Sequence, residues 1–279
     1  MKQRILTAVA IVAAVIPIAY FSDTLVYPIA LALLCTAAEF EMLRALGRQK
    51  DLSVALPACI MALLFPLGAY IVPVYFSVRP HLYFASVGAI LFGYMLYLFG
   101  IVVMRRGKTD FVGISEVFVT ALYVILSFTS LSLIRRFDHG AFYFGMPFII
   151  AWICDVFAFF TGSFFGKHPL SPEISPKKTI EGAVGGIVFG TAALLLYGWI
   201  LQLSGAAQPR YLVLLLYGVL LSVVSQIGDL VASLIKREHK IKDYGRVLPG
   251  HGGIMDRFDS VLGVSTLLAV LCLFFPPFI

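Results

Sequence analysis

Charge is what this sequence has little of. Only 13% of its 279 residues are charged while 60% are hydrophobic, which excludes an ordinary soluble domain, where charged residues make up about a quarter. Cysteine is scarce too. The four present (Cys35, Cys59, Cys154, Cys272) all fall inside apolar runs, with no C-x-x-C pair and no metal-like spacing to a histidine. That excludes a disulfide framework and a zinc module, and leaves them as small core residues. No nucleic-acid-binding module is visible, so the net charge of +6 is better explained by an uneven distribution of lysine and arginine between the two sides of a membrane.

What is abundant is apolar sequence in runs long enough to cross roughly 30 Å of hydrocarbon. The expected fold class is therefore all-α, a polytopic membrane protein of about nine transmembrane helices. Spans are drawn at about 4–21, 24–43, 53–77, 82–104, 111–134, 141–165, 180–203, 211–235 and 257–277. The first run, after Lys2 and Arg4, is long and lacks a small-residue cleavage site, so it reads as an uncleaved helix rather than a signal peptide. With these spans, every lysine and arginine except Arg79, Arg135, Arg136 and Arg210 falls on one side. The positive-inside rule then puts the N-terminus in the cytoplasm and the C-terminus outside, in a multi-pass protein of the cell (inner) membrane.

Residues 1–135 read as a transmembrane scaffold of about five helices and residues 136–279 as the catalytic half. In the first part Glu39 or Glu41 is expected to pair with Arg44 or Arg48, and Glu116 to face a partner or a cavity, because an intramembrane carboxylate is costly otherwise. The second part carries Asp155, Lys177, Lys178, Glu181, Asp229, Asp256 and Asp259 in or beside its spans. Such a concentration points to a polar active-site cavity opening to the cytoplasm.

Residues 233–259 read SLIKREHKIKDYGRVLPGHGGIMDRFD, with six cations, four acids, two histidines and a glycine-rich turn between two apolar runs. A plain connector explains the cations but not the carboxylates or His251-Gly252-Gly253. Upstream, Asp229, Ser233, Lys236 and Arg237 stand at i, i+4, i+7 and i+8 of one helix and share a stripe. Seven residues rise about 10 Å, too far for Lys236 to neutralise Asp229 directly, so another group is expected to do so. Asp256 and Asp259 share a face at the start of the last span. Three converging carboxylates, Asp229, Asp256 and Asp259, repel one another unless a cation binds, and oxygen donors of this kind suit Mg²⁺ completed by substrate phosphates. In residues 175–186, SPKKTIEGAVGG, Ser175 as N-cap and Pro176 as first helical residue put Lys177 and Lys178 in a first turn. Cations are disfavoured there, and a phosphate would resolve the conflict. Metal-binding acids and phosphate-binding cations at a lipid-bathed site suggest phosphoryl or nucleotidyl transfer to a lipid. Two other readings stay open: phosphate transfer to a lipid alcohol, which needs a base for the hydroxyl, and a transporter, which also places carboxylates in mid-membrane helices.

Residues 233–259, with S-L-I-K-R, K-D-Y-G and L-P-G-H-G-G-I-M-D-R-F-D, resemble the signature of the phosphatidate cytidylyltransferases, also called CDP-diacylglycerol synthases. Residues 155–182, DVFAFFTGSFFGKHPLSPEISPKKTIEG, are similar to that family too. They depart from it at Val156, where a small or hydroxyl residue is typical, and at Ser163, where a basic one is frequent. The resemblance implies transfer of CMP from CTP to phosphatidic acid, giving CDP-diacylglycerol and pyrophosphate for phospholipid biosynthesis. It implies Mg²⁺ on Asp229 and Asp256, with Asp259 as a further ligand or as a partner that orients one, a second monovalent cation such as K⁺, and a homodimer. Lys236 and Arg237 join Asp229 and Asp256 as catalytic residues. Ser233, Lys242, His251, Gly252, Gly253, Arg257, Lys177, Lys178 and Asp155 are implied substrate contacts.

Overall fold

A computed structural model of the protein describes residues 13, 16–76, 79–105, 110–248, 250 and 252–279. Most of the first expected span, and His251, lie outside them. Eight helices among the described residues are long and apolar enough to cross a membrane. Two compact units divide the chain, one of residues 1–137 and 239–257, the other of residues 138–238 and 258–279.

The first unit contains α1 (Val26–Ala45), α2 (Leu52–Phe76), α3 (Pro80–Met104) and α4 (Phe111–Ile134). Of the eight spans α4 is the most buried, packed by the other three helices of its unit. Pro57, Pro66 and Pro73 lie inside α2. Proline at 57 removes the donor that would pair with the Ser53 carbonyl, and the Tyr97 hydroxyl donates to that oxygen at 3.0 Å instead. In the short turn between α1 and α2, Arg105 donates to Asp51 at 2.5 Å. At the start of α4 the Asp110 carboxylate accepts from the Gly113 N–H at 2.6 Å and from Arg48 at 2.8 Å. Those contacts, the backbone one foremost, hold its carboxyl below the usual aspartate value.

The second unit contains the short α5 (Gly140–Tyr143), α6 (Met146–Phe165), a two-stranded antiparallel hairpin of β1 (Pro169–Ser171) and β2 (Ser175–Thr179), α7 (Ile180–Leu203) and α8 (Tyr211–Glu238). The last helix, α9 (Met255–Phe274), begins with the residues that close the first unit and continues in the second. The α6 and α7 backbones approach closely: a Cβ on Gly182 would stand 2.6 Å from the Ala158 carbonyl, and one on Gly186 3.0 Å from that of Cys154.

The hairpin corrects the helix start expected at Ser175 and Pro176, while the drawn span 180–203 stands. Ser175 and Pro176 are extended in β2, not the cap and first residue of a helix. Residues 175–179 pair with β1 instead, and the cap falls to Thr179, whose side chain accepts from the Gly182 N–H at 3.1 Å. Lys177 and Lys178 therefore lie on a strand, where no helix dipole opposes their charge.

Candidate active site

In the second unit Lys178 reaches from β2 to α8 and pairs with Asp229, both side chains partly buried. This is the neutralising group expected on geometric grounds, and it comes from 51 residues upstream. From α6, Asp155 accepts a hydrogen bond from the Ser260 hydroxyl of α9 at 2.8 Å, and the Ser260 N–H donates to Asp259 at 2.9 Å. Asp259 lies close enough to Asp229, Asp155 and Lys236 to feel their charge. Ser233 stands one turn beyond Asp229 on α8, and near the end of that helix Arg237 donates to the Ile174 carbonyl at 3.3 Å. Three carboxylates thus share one neighbourhood with two ammonium groups, and Lys177 stays exposed on the hairpin beside them.

The hairpin is itself pinned. Glu181, in the first turn of α7, accepts from the Lys167 and His168 N–H groups at 3.1 and 3.3 Å and pairs with the His168 ring at 2.6 Å. It acts on backbone geometry, and its signal in the sequence is only an acid two residues after Thr179.

In the first unit the loop after α8 is folded back on itself and on α1. Asp256 accepts from the Tyr244 N–H at 2.8 Å and the Gly253 N–H at 3.0 Å. Leu248 N–H donates to the Gly252 carbonyl at 3.0 Å. Gly252 has φ +85°, a left-handed conformation that disfavours any side chain. Buried Glu41 accepts from the Met255 N–H at 3.0 Å, and Arg44 donates to the Tyr244 carbonyl. Of the expected partners, Arg48 pairs with Asp110 instead, while Glu41 accepts from the loop backbone within reach of the Arg44 charge. Glu116 faces His239 at 3.7 Å. Lys242 and Arg257 are exposed and Gly253 is buried, while His251 falls outside the described residues.

Among the described residues no group of three or more histidine, cysteine, aspartate or glutamate side chains is arranged to hold a metal ion. The donors of the second unit nevertheless fit Mg²⁺ by type. They are hard carboxylate oxygens, and Mg²⁺ is commonly held by one or two of these plus substrate phosphates and water. Asp229 already has a cation against it.

A family model described as "Cytidylyltransferase family" matches residues 2–275. A Bacillus subtilis protein named phosphatidate cytidylyltransferase is 37% identical over 276 residues, covering 99% of this chain and 98% of that one. Proteins of the same name from Staphylococcus epidermidis and Staphylococcus aureus are 38% and 37% identical over 169 residues, 61% of this chain and 63% of theirs. With a family match over almost its whole length, this chain belongs to the cytidylyltransferase family and is a nucleotidyltransferase enzyme.

Proposed function

We propose that the chain makes CDP-diacylglycerol and pyrophosphate from CTP and phosphatidic acid. A phosphate oxygen of the lipid attacks the α-phosphorus of CTP, a new P–O bond forms, and the bond between the α-phosphorus and its bridging oxygen breaks as pyrophosphate leaves. The observation that carries this reading is the gathering of Asp155, Asp229 and Asp259 with Lys178 and Lys236 in a partly buried setting, in a chain whose near-full-length relative bears the matching name.

A lipid phosphate is ionised near neutral pH, so the site needs no base. Its task is to align two polyanions and offset the charge that develops between them. Lys178, Lys236 and Arg237 supply that positive charge, and Lys177 extends it along β2. Ser233, Lys242, His251, Gly252, Gly253, Arg257 and Asp155 remain substrate contacts on the strength of the resemblance. Asp229 and Asp259 are the carboxylates offered to Mg²⁺, with Asp256 kept as a ligand on its motif alone. When bound, Mg²⁺ withdraws charge from the phosphate oxygens and orients the leaving group. Lys178, which pairs with Asp229, would turn to a substrate phosphate where that carboxylate held a metal ion. A second monovalent cation, a homodimer, a cytoplasm-facing site and residence in the inner membrane complete the proposal.

The test is transfer of label from α-³²P CTP to phosphatidic acid by purified protein, with and without Mg²⁺. Label in the lipid phase only with Mg²⁺, with release of unlabelled pyrophosphate, is the expected result. Label transferred from γ-³²P CTP to a lipid alcohol instead would replace this reading with phosphate transfer.

A further inference from the structure

Glycine at 245 and at 253 has a common explanation. A Cβ built on either residue would land in the Glu41 carboxylate, so both lack a side chain where that carboxylate sits. Glu41 is 2% exposed and accepts from the Met255 N–H at 3.0 Å, across 214 residues of sequence. One turn further along α1, Arg44 donates to the carbonyl of Tyr244, whose own N–H is held by Asp256. Two side chains of α1 thus fix both arms of the loop, Tyr244-Gly245 on one side and Gly253 to Met255 on the other.

We infer that Glu41 and Arg44 are positioning residues for transfer: they hold the signature loop in register so that the residues between Lys242 and Arg257 meet the substrate phosphates. This rests on the proposed cytidylyl transfer. Neither residue needs to touch substrate. A carboxylate spent on a loop N–H, in a helix where burying it is costly, is placed for what it holds.

The test combines exchange and kinetics on the full-length protein in detergent. In Glu41→Ala, amide hydrogen exchange in the peptide covering residues 244–255 should quicken at least about tenfold while α4 peptides stay unchanged. A misplacement of about 1 Å costs about a hundredfold in turnover, so kcat should fall by that much per folded molecule, with KM for CTP moving far less. Glu41→Gln, which keeps a carbonyl oxygen for Met255 N–H, should recover most of both. If Glu41→Ala does not fold, the partly exposed Arg44→Met decides, with a fall in kcat of about tenfold expected and loop exchange faster. Unchanged loop exchange, or full activity in the alanine or methionine variants, overturns the inference, as does failure of glutamine to rescue. Exchange reads the clamp whichever reaction the wild type performs, so a wild type that makes no CDP-lipid fails the proposed function and leaves the clamp to be judged by exchange.

Discussion

Lys178 and Asp229 show how a single contact changes the reading of two residues. Each is only partly exposed, so removing the lysine leaves a carboxylate in a poorly solvated place, and Lys178→Met should cost about 1 to 3 kcal/mol, read as a lower unfolding temperature in detergent. Lys178→Arg should restore most of that stability while shifting the CTP kinetics, because a fork of donors does not substitute for a point charge at a phosphate. Asp229→Asn keeps a hydrogen-bonding partner for Lys178 and removes the charge offered to metal. It should fold normally and lose turnover, and wild-type-like activity would remove Asp229 from the metal proposal. That Asp229 needed a partner was legible from its depth on the helix. Its identity was not, because the partner lies on a hairpin far upstream.

Among the elements, the helices were the legible part. The spans drawn at 111–134 and 180–203 coincide with α4 and α7, because a mostly apolar run bounded by charged or polar residues leaves little freedom in where a helix starts. The hairpin was not legible: residues 166–179 carry no apolar period, and S-P-K-K imitates a helix start. Thr179 does the capping, so Thr179→Ala should destabilise the protein by about 1 kcal/mol and lower kcat/KM for CTP through the displaced lysines of β2. On the other unit, burial raises the pKa of Asp51, but hydrogen bonds from Arg105 and Ser53 outweigh it and hold the carboxyl below its ordinary value. A depressed folded value means that its stabilisation is present above the unfolded pKa and is lost as pH falls through the folded one. Asp51→Asn should therefore be less stable than wild type near neutral pH, by no more than about 1 kcal/mol for so accessible a pair. The gap should close in acid, as unfolding curves across that pH range would show.

For the whole molecule, the sorting of lysine and arginine predicts which side each loop faces. In right-side-out vesicles of a cysteine-free background, Arg79→Cys should react with an impermeant maleimide from outside, and Glu173→Cys, on the hairpin turn, only after the membrane is opened. The reverse pattern would invert the topology. The signature loop is encoded late in the gene, between two helices of the second unit, yet it is counted with the first unit and is gripped there by Glu41 and Arg44. A fragment beginning at residue 138 would carry the whole recognisable motif and none of its grip. The motif is therefore not a portable cassette: recombination that swaps the first half of such a gene must bring its own acid and base at the end of α1, or it transplants a signature without the activity.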